Sequence, residues 1–145
     1  EERWAVDMVD YPEGTHAPGT KVVVSDIFDA DLPEDYFDGV WVSNFLEHLL
    51  SQEDCARFLE KMHRVLKPGG RIAIMGPNFR YCKNDYFDCA DHTLIFTHGA
   101  IAEHIYAAGF EPVRIEPRFL PYSFRSRLPP SPAGTRSWCS CSRCR

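Results

Sequence analysis

Short apolar runs alternate with helical patterns along most of the chain. Runs that are continuously apolar or β-branched predict strands, because a strand inside a parallel sheet is apolar at successive positions. Lys21–Ser25 (KVVVS) shows this pattern most clearly and predicts a strand that is buried on both faces. The predicted strands are Trp4–Met8, Lys21–Ser25, Asp38–Ser43, Arg71–Met75 and Glu111–Glu116.

Two helices are predicted from apolar residues that recur every three or four positions. These residues are Phe58, Leu59, Met62, Val65 and Leu66 in the first helix, and Ile101, Ile105 and Tyr106 in the second. Ser51 begins the first helix and Lys67–Gly70 (KPGG) ends it, since proline cannot continue a helix and glycine supplies the turn. Thr97 caps the second helix and Gly109 closes it. The aromatic segment Gly76–His92 between the two helices is predicted to be a loop.

This alternation of strands and helices predicts an α/β fold with a mostly parallel sheet. Ligands of such sheets bind beyond the carboxyl ends of the strands, where Asp7, Asp26 and Asn44 stand. An acid at such a strand end can accept hydrogen bonds from both hydroxyls of a ribose. The alternative is that these residues only form turns and caps, in which Asp and Asn are common.

Charge divides the 145-residue chain into two unlike parts. Residues 1–124 hold all 21 acids and 11 of the 16 Lys and Arg, a net charge of -10, whereas residues 125–145 hold five Arg and no acid. The acidic body argues against nucleic acid as the main partner, because phosphate binding needs a basic surface. No apolar run reaches the roughly 18 residues of a membrane span. Cysteines 55, 82 and 89 are scattered, which predicts reduced thiols and a cytoplasmic protein.

Residues 125–145 also differ in composition, with clustered proline followed by alternating Ser, Arg and Cys. This composition predicts a disordered tail. Cys139, Cys141 and Cys144 lie in the tail, but a structural zinc site needs four ligands and no fourth lies nearby. We therefore predict no metal site.

Several motifs occur in an order that is similar to one protein family. They are Asp26 with Leu32-Pro33 and Tyr36–Asp38, then Asn44–Leu49 (NFLEHL), Arg64–Arg71 (RVLKPGGR) and Gly76–Tyr81 (GPNFRY). Together they resemble the successive motifs of class I S-adenosylmethionine-dependent methyltransferases, and more narrowly the type 11 branch. The resemblance extends from Trp4 to about Pro121, and RVLKPGG with EHL upstream is its most specific part.

The resemblance implies a Rossmann-like sheet with helices on both faces, S-adenosyl-L-methionine as cofactor, and methyl transfer to a small-molecule acceptor. It also implies that the sheet is incomplete. The family's Gly-rich turn, the first strand and helix, and the last strand have no match in the sequence. The missing first strand belongs between the predicted strands Trp4–Met8 and Asp38–Ser43. We therefore expect residues 1–124 to be a partial methyltransferase domain that is inactive by itself.

The resemblance also assigns roles to individual residues. Asp7 matches the acid that binds the cofactor ribose, and Asp10 is its rival because it also follows the strand. The remaining assignments are Asp26 and Ile27 for the adenine, Asn44 and Phe45 for the methionine end and the substrate, and Asn78, Tyr81 and His92 for substrate binding. No catalytic residue is assigned. His48 and the pair Asp91-His92 have suitable acid–base chemistry, but structural hydrogen bonding is the commoner role of such residues.

Two other functions remain open from the sequence. The same fold can act as a binding module without catalysis, since a fold does not determine a function. A nicotinamide-dependent oxidoreductase uses a similar sheet, although LKPGG and EHL favour the methyltransferase.

Overall fold

The computed structural model describes residues 1–12 and 14–118, together with the backbone of residues 137–144. The chain divides into two compact units, Glu1–Pro33 and Glu34–Arg145. The domain end and tail start that we predicted at residues 124 and 125 lie outside the described residues.

The first unit contains two parallel strands, β1 (Arg3–Asp7) and β2 (Thr20–Val24), with Asp7 opposite Val24 in the register. Both strands were predicted from the apolar pattern. The prediction that β2 is buried on both faces is wrong, because Val22 and Val24 are exposed. The described residues of this unit form no helix that would cover the strand.

The second unit contains a four-stranded sheet in the order β3-β4-β6-β5. Its strands are β3 (Phe37–Ser43), β4 (Leu66–Pro77), β5 (Phe110–Glu116) and β6 (Ser137–Cys144), and its helices are α1 (Gln52–Val65), α2 (Phe79–Cys82) and α3 (His98–Ala107). Strands β3 and β4 pair in parallel, while β6 is antiparallel to both β4 and β5. The predicted α/β class is confirmed. Three of the four strands run in the same direction, but only the β3–β4 pair is parallel.

The starts of α1 and α3 lie where the sequence predicts them, but Lys67–Gly70, which we predicted to be the turn that ends α1, is part of β4. The Ser51 side chain accepts a hydrogen bond from the Asp54 amide at the start of α1, and Thr97 caps α3 in the same way. Two carbonyls at the end of α1 are bound by the amides of Asp35 and Tyr36, at 2.9 and 3.0 Å. These contacts satisfy backbone groups that a helix end leaves unpaired.

The segment Gly76–His92, which we predicted to be a loop, contains helical structure. Asn78 caps α2, and a 3₁₀ helix follows at Lys83–Asp88. The prediction failed because neither helix has the apolar period of a longer one. Burial of Tyr86, which is completely inaccessible to solvent, anchors the segment instead.

Helices α1 and α3 contact each other and pack on the same face of the sheet. Buried residues of this core include Leu59, Ile72, Ile74, Ile101 and Phe110. On the opposite face Trp41 is 60% exposed. Helices were predicted on both faces of the sheet. The helices among the described residues cover one face.

Strand β6 corrects two predictions. We expected the last, antiparallel strand to be missing and residues 125–145 to be disordered, but Ser137–Cys144 pairs with β4 on one side and β5 on the other. The Ser-rich sequence has little intrinsic strand preference. Pairing along both edges outweighs that weak preference, because backbone partners, not composition, decide a strand flanked on two sides. Residues 125–136 and residue 145 lie outside the described part of the chain.

Strands β1 and β3 belong to different sheets within the described residues. In the family that the sequence resembles, the first strand lies between the counterparts of β1 and β3 and joins them. That strand has no match in this sequence, so the separation of β1 and β3 agrees with the resemblance.

Gly70 is a position where we expect a single methyl group to destabilise the sheet. A Cβ atom there would lie 2.9 Å from the Lys67 carbonyl oxygen and 3.2 Å from that of Phe37. Gly70→Ala should therefore lower the free energy of unfolding by about 1–3 kcal/mol, as measured by urea denaturation. Gly39→Ala is the matched control, since its Cβ would have 3.7 Å to the nearest atom. Equal midpoints for the two variants would contradict this packing argument.

Candidate functional site

In the first unit, Asp7 and Asp26 stand at the carboxyl ends of neighbouring parallel strands. Asp7 is the last residue of β1, and its carbonyl accepts a hydrogen bond of 2.9 Å from the amide of Ser25, which follows β2. One carboxylate oxygen of Asp7 binds the Val9 amide, and one of Asp26 binds the Phe28 amide, at 2.9 and 2.8 Å. Each acid is thereby fixed in orientation, with its second oxygen available for a ligand.

The two neighbouring residues named from the sequence occupy different environments. Ile27 is half-buried in the turn that follows β2, as suits an apolar contact beside Asp26. Asp10 is exposed and lies three residues beyond the end of β1. The strand end therefore favours Asp7 over Asp10 for a ligand bound at the edge of this sheet.

In the second unit, Asn44 directly follows β3 and begins a tight turn. Its φ of +47° is a left-handed conformation that Asn adopts more readily than most residues. The Asn44 amide donates a hydrogen bond of 2.8 Å to the Met75 carbonyl of β4. Phe45 packs against Phe58 of α1, with ring centroids 4.8 Å apart. Asn44 is exposed, so its side chain is available at the carboxyl edge of the sheet.

The turn continues as a 3₁₀ helix, Leu46–His48, which directs Glu47 into the protein. Glu47 is only 2% exposed. Its Oε1 atom has no hydrogen-bond partner among the described residues and lies 4.0 Å from His48 Nε2. Burial raises the pKa of Glu47 to about 7, against the lowering effects of a backbone hydrogen bond and of His48.

A distant segment of the chain brings His92 beside these residues. The amides of Thr93 and Leu94 both donate to the Glu47 carbonyl, at 2.9 and 3.1 Å, and the Thr93 hydroxyl donates to the Leu49 carbonyl. The rings of His48 and His92 then lie 5.0 Å apart between centroids. Sequence reasoning named His48 and His92 separately, but it did not bring them together and it missed Glu47.

The hydrogen bonds of both histidines fix which ring nitrogen carries a proton. His48 Nδ1 lies 3.2 Å from both the backbone carbonyl and a carboxylate oxygen of Asp91. His92 Nδ1 lies 2.8 Å from the Tyr86 carbonyl. Since these partners only accept, each Nδ1 is a donor, and in the neutral ring Nε2 keeps its lone pair. Burial lowers the pKa of His92, which favours the neutral ring.

The remaining predicted site residues, Asn78 and Tyr81, form a separate contact. The Asn78 amide nitrogen lies 3.0 Å from His98 Nδ1 and 3.0 Å from the Pro117 carbonyl, and the residue is fully buried. Tyr81 stacks on His98 with centroids 6.2 Å apart. Asn78 thus presents no accessible atom to a substrate here and acts to join three segments, while Tyr81 remains partly accessible.

The match to a known family covers the region that holds most of these residues. Residues 5–74 match the type 11 family model described as "Methyltransferase domain". The matched segment is 70 of the 145 residues, and it is similar to that family. The match agrees with the resemblance inferred from the motifs. No curated protein sequence matches the chain.

Solved methyltransferase structures share the fold over nearly the whole chain. A SAM-dependent methyltransferase from Archaeoglobus fulgidus superimposes with a TM-score of 0.76 at 22% identity, over 97% of this chain and 75% of its own. An S-adenosylmethionine-dependent methyltransferase from Mesorhizobium loti gives 0.70 at 18% identity, over 98% of this chain and 80% of its own. Both support the Rossmann-like methyltransferase fold.

A third structure contains bound ligands. The 1,6-didemethyltoxoflavin-N1-methyltransferase of Burkholderia thailandensis, with 1,6-didemethyltoxoflavin and S-adenosylhomocysteine, matches at 23% identity and a TM-score of 0.66. The match covers 97% of this chain and 60% of that protein. S-adenosylhomocysteine is a ligand of that protein. No helix among the described residues is long and apolar enough to cross a membrane.

Proposed function

We propose that this methyltransferase transfers the methyl group of S-adenosyl-L-methionine to a small-molecule acceptor. The observation that carries the proposal is the pair of oriented carboxylates, Asp7 and Asp26, at the ends of parallel strands within the matched region. A carboxylate with one oxygen fixed by a backbone amide presents the other to a ribose hydroxyl. Asp7 is proposed to bind the ribose, and Asp26 with Ile27 the adenine.

In the second unit, Asn44 and Phe45 are proposed to contact the methionine end of the cofactor and the acceptor. The left-handed turn at Asn44 supports this role, because it holds the exposed amide at the strand end. Methyl transfer is an in-line displacement in which the protein contributes mainly positioning and exclusion of water. A dedicated nucleophile is therefore not required.

The acceptor class is inferred from charge. Residues 1–124 carry a net charge of -10, which repels polyanions such as nucleic acids. A small, neutral or cationic acceptor fits this field better. The described cysteines, Cys55, Cys82 and Cys89, are thiols, which is consistent with a cytoplasmic location. Since β1 and β3 lie in different sheets, we expect the 145-residue chain alone to bind cofactor weakly and to be inactive.

The proposal is tested by incubating the protein that contains this chain with radiolabelled S-adenosylmethionine and a panel of small-molecule acceptors. We expect S-adenosylhomocysteine and a labelled product to form in equal amounts. Calorimetric binding of S-adenosylmethionine without turnover of any acceptor would support a binding module instead. Binding of NADH but not of S-adenosylmethionine would support an oxidoreductase.

A further inference from the structure

The structure brings together three potential metal ligands that are up to 45 positions apart in the sequence. Glu47, His48 and His92 each offer one ligand atom, and these atoms all lie within 4.8 Å of one another. We call them the Glu47–His92 cluster. We propose that this cluster binds one divalent transition-metal ion through two imidazole nitrogens and one carboxylate oxygen. The inference is independent of the methyl-transfer reaction, because it rests on these side chains alone.

The spacing of the cluster is close to that of a ligand set. Zinc–ligand bonds of about 2.0–2.2 Å place the ligand atoms of one ion roughly 3–3.5 Å apart. His48 Nε2 and Glu47 Oε1 are 4.0 Å apart. All the ligand atoms lie within 4.8 Å of one another, so a bound ion would draw them closer together.

The partners of the two histidines are those expected around a metal. A metal-bound histidine usually donates its other ring N–H to a carboxylate or a backbone carbonyl, which fixes the ring and increases its basicity. His48 Nδ1 has the Asp91 carboxylate at 3.2 Å, and His92 Nδ1 has the Tyr86 carbonyl at 2.8 Å. In the neutral rings the Nε2 atoms then keep their lone pairs, and one ligand atom of each histidine lies within 4.8 Å of a carboxylate oxygen of Glu47.

Glu47 supplies the independent observation that a ligand belongs here. Its side chain is almost completely buried, and no described group donates a hydrogen bond to Oε1. A buried carboxylate oxygen without a partner is costly, and such groups are normally paired or bound to a metal. A cation held between Glu47 and the two histidines would remove this cost.

The donor set also indicates which ion is bound. Imidazole suits zinc, iron, cobalt and nickel, whereas calcium and magnesium prefer sites made entirely of oxygen. Three protein ligands leave at least one coordination position for water or for an oxygen or nitrogen of a small molecule. The site would therefore take a transition-metal ion with an exchangeable ligand on its solvent side.

Titration of the 145-residue chain with Co²⁺ or Zn²⁺, followed by calorimetry and visible absorption of the cobalt form, tests the proposal. We expect one equivalent to bind. Glu47→Gln and His92→Gln should each weaken binding at least about 100-fold, and Asp91→Asn about 10-fold or more through the orientation of His48. His104→Gln, which changes a histidine outside the cluster, should leave the affinity unchanged.

Two further measurements make the result decisive. Circular dichroism checks each variant for folding. If Glu47→Gln unfolds, the affinity of Asp91→Asn decides the test, because Asp91 is 76% exposed and tolerates the change. Replacing Cys139, Cys141 and Cys144 by serine should preserve binding. A thiolate-to-cobalt charge-transfer band that these serines abolish, or unchanged affinity in both Asp91→Asn and His92→Gln, would overturn the proposal.

Discussion

Replacing Leu59 with alanine is expected to destabilise the second unit by about 2–5 kcal/mol, a large part of the total stability of an ordinary domain. Leu59 is fully buried on the face of α1 that packs against the sheet. Its removal costs the transfer free energy of the side chain and leaves a cavity that neighbouring residues fill only in part. Urea denaturation followed by circular dichroism measures the change.

Leu50→Ala is the matched control for this experiment. It is the same substitution just before the same helix, but Leu50 is 82% exposed and should change stability by no more than about 0.5 kcal/mol. If both variants unfolded at the same urea concentration, α1 would not pack as the structure describes.

Local signals predicted the regular elements well. The apolar period of α1, with Ser51 as its cap, identifies a helix because the side chains that form it are close in sequence. The strands Phe37–Ser43 and Phe110–Glu116 follow from their apolar runs in the same way. Strand β6 did not follow, because its partners lie 23 to 34 positions away on β5 and 60 to 72 positions away on β4, where no local pattern reveals them.

The candidate site was predictable only in part for the same reason. Asp7, Asp26 and Asn44 follow from the rule that ligands lie beyond strand ends, which depends on the order of elements alone. The Glu47–His92 cluster depends on the hydrogen bonds that Thr93 and Leu94 donate to the Glu47 carbonyl. Those bonds join segments more than 40 positions apart, and the sequence contains no signal for them.

Burial is the second property that the sequence did not specify. NFLEHL contains an acid and a histidine side by side, and both would ordinarily be placed on the surface. The 3₁₀ geometry of Leu46–His48 buries Glu47 and leaves His48 partly exposed. Glu47 thereby becomes a buried hydrogen-bond acceptor, whereas its neighbour His48 becomes an oriented imidazole.

Replacing Asp7 with alanine is expected to weaken S-adenosylmethionine binding by the protein that contains this chain about 10- to 100-fold. A hydrogen bond to a charged group contributes about 1.5–3 kcal/mol, and each 1.4 kcal/mol is a factor of ten in affinity. Asp7→Asn is the more conservative variant, since its amide oxygen can still accept the hydrogen bond from the Val9 amide and preserve the turn. Calorimetric titration with S-adenosylhomocysteine measures both.

Asp10→Ala decides between the two acids at the carboxyl end of β1, Asp7 and Asp10. Asp10 is exposed and lies three residues beyond the strand end, so its removal should change the affinity by less than about threefold. The opposite result, with Asp10→Ala damaging binding and Asp7→Ala neutral, would move the ribose contact to Asp10. Asp7, not Asp10, is in register with β2. That result would therefore also mean that the ligand binds farther from the sheet edge than the position of Asp7 implies.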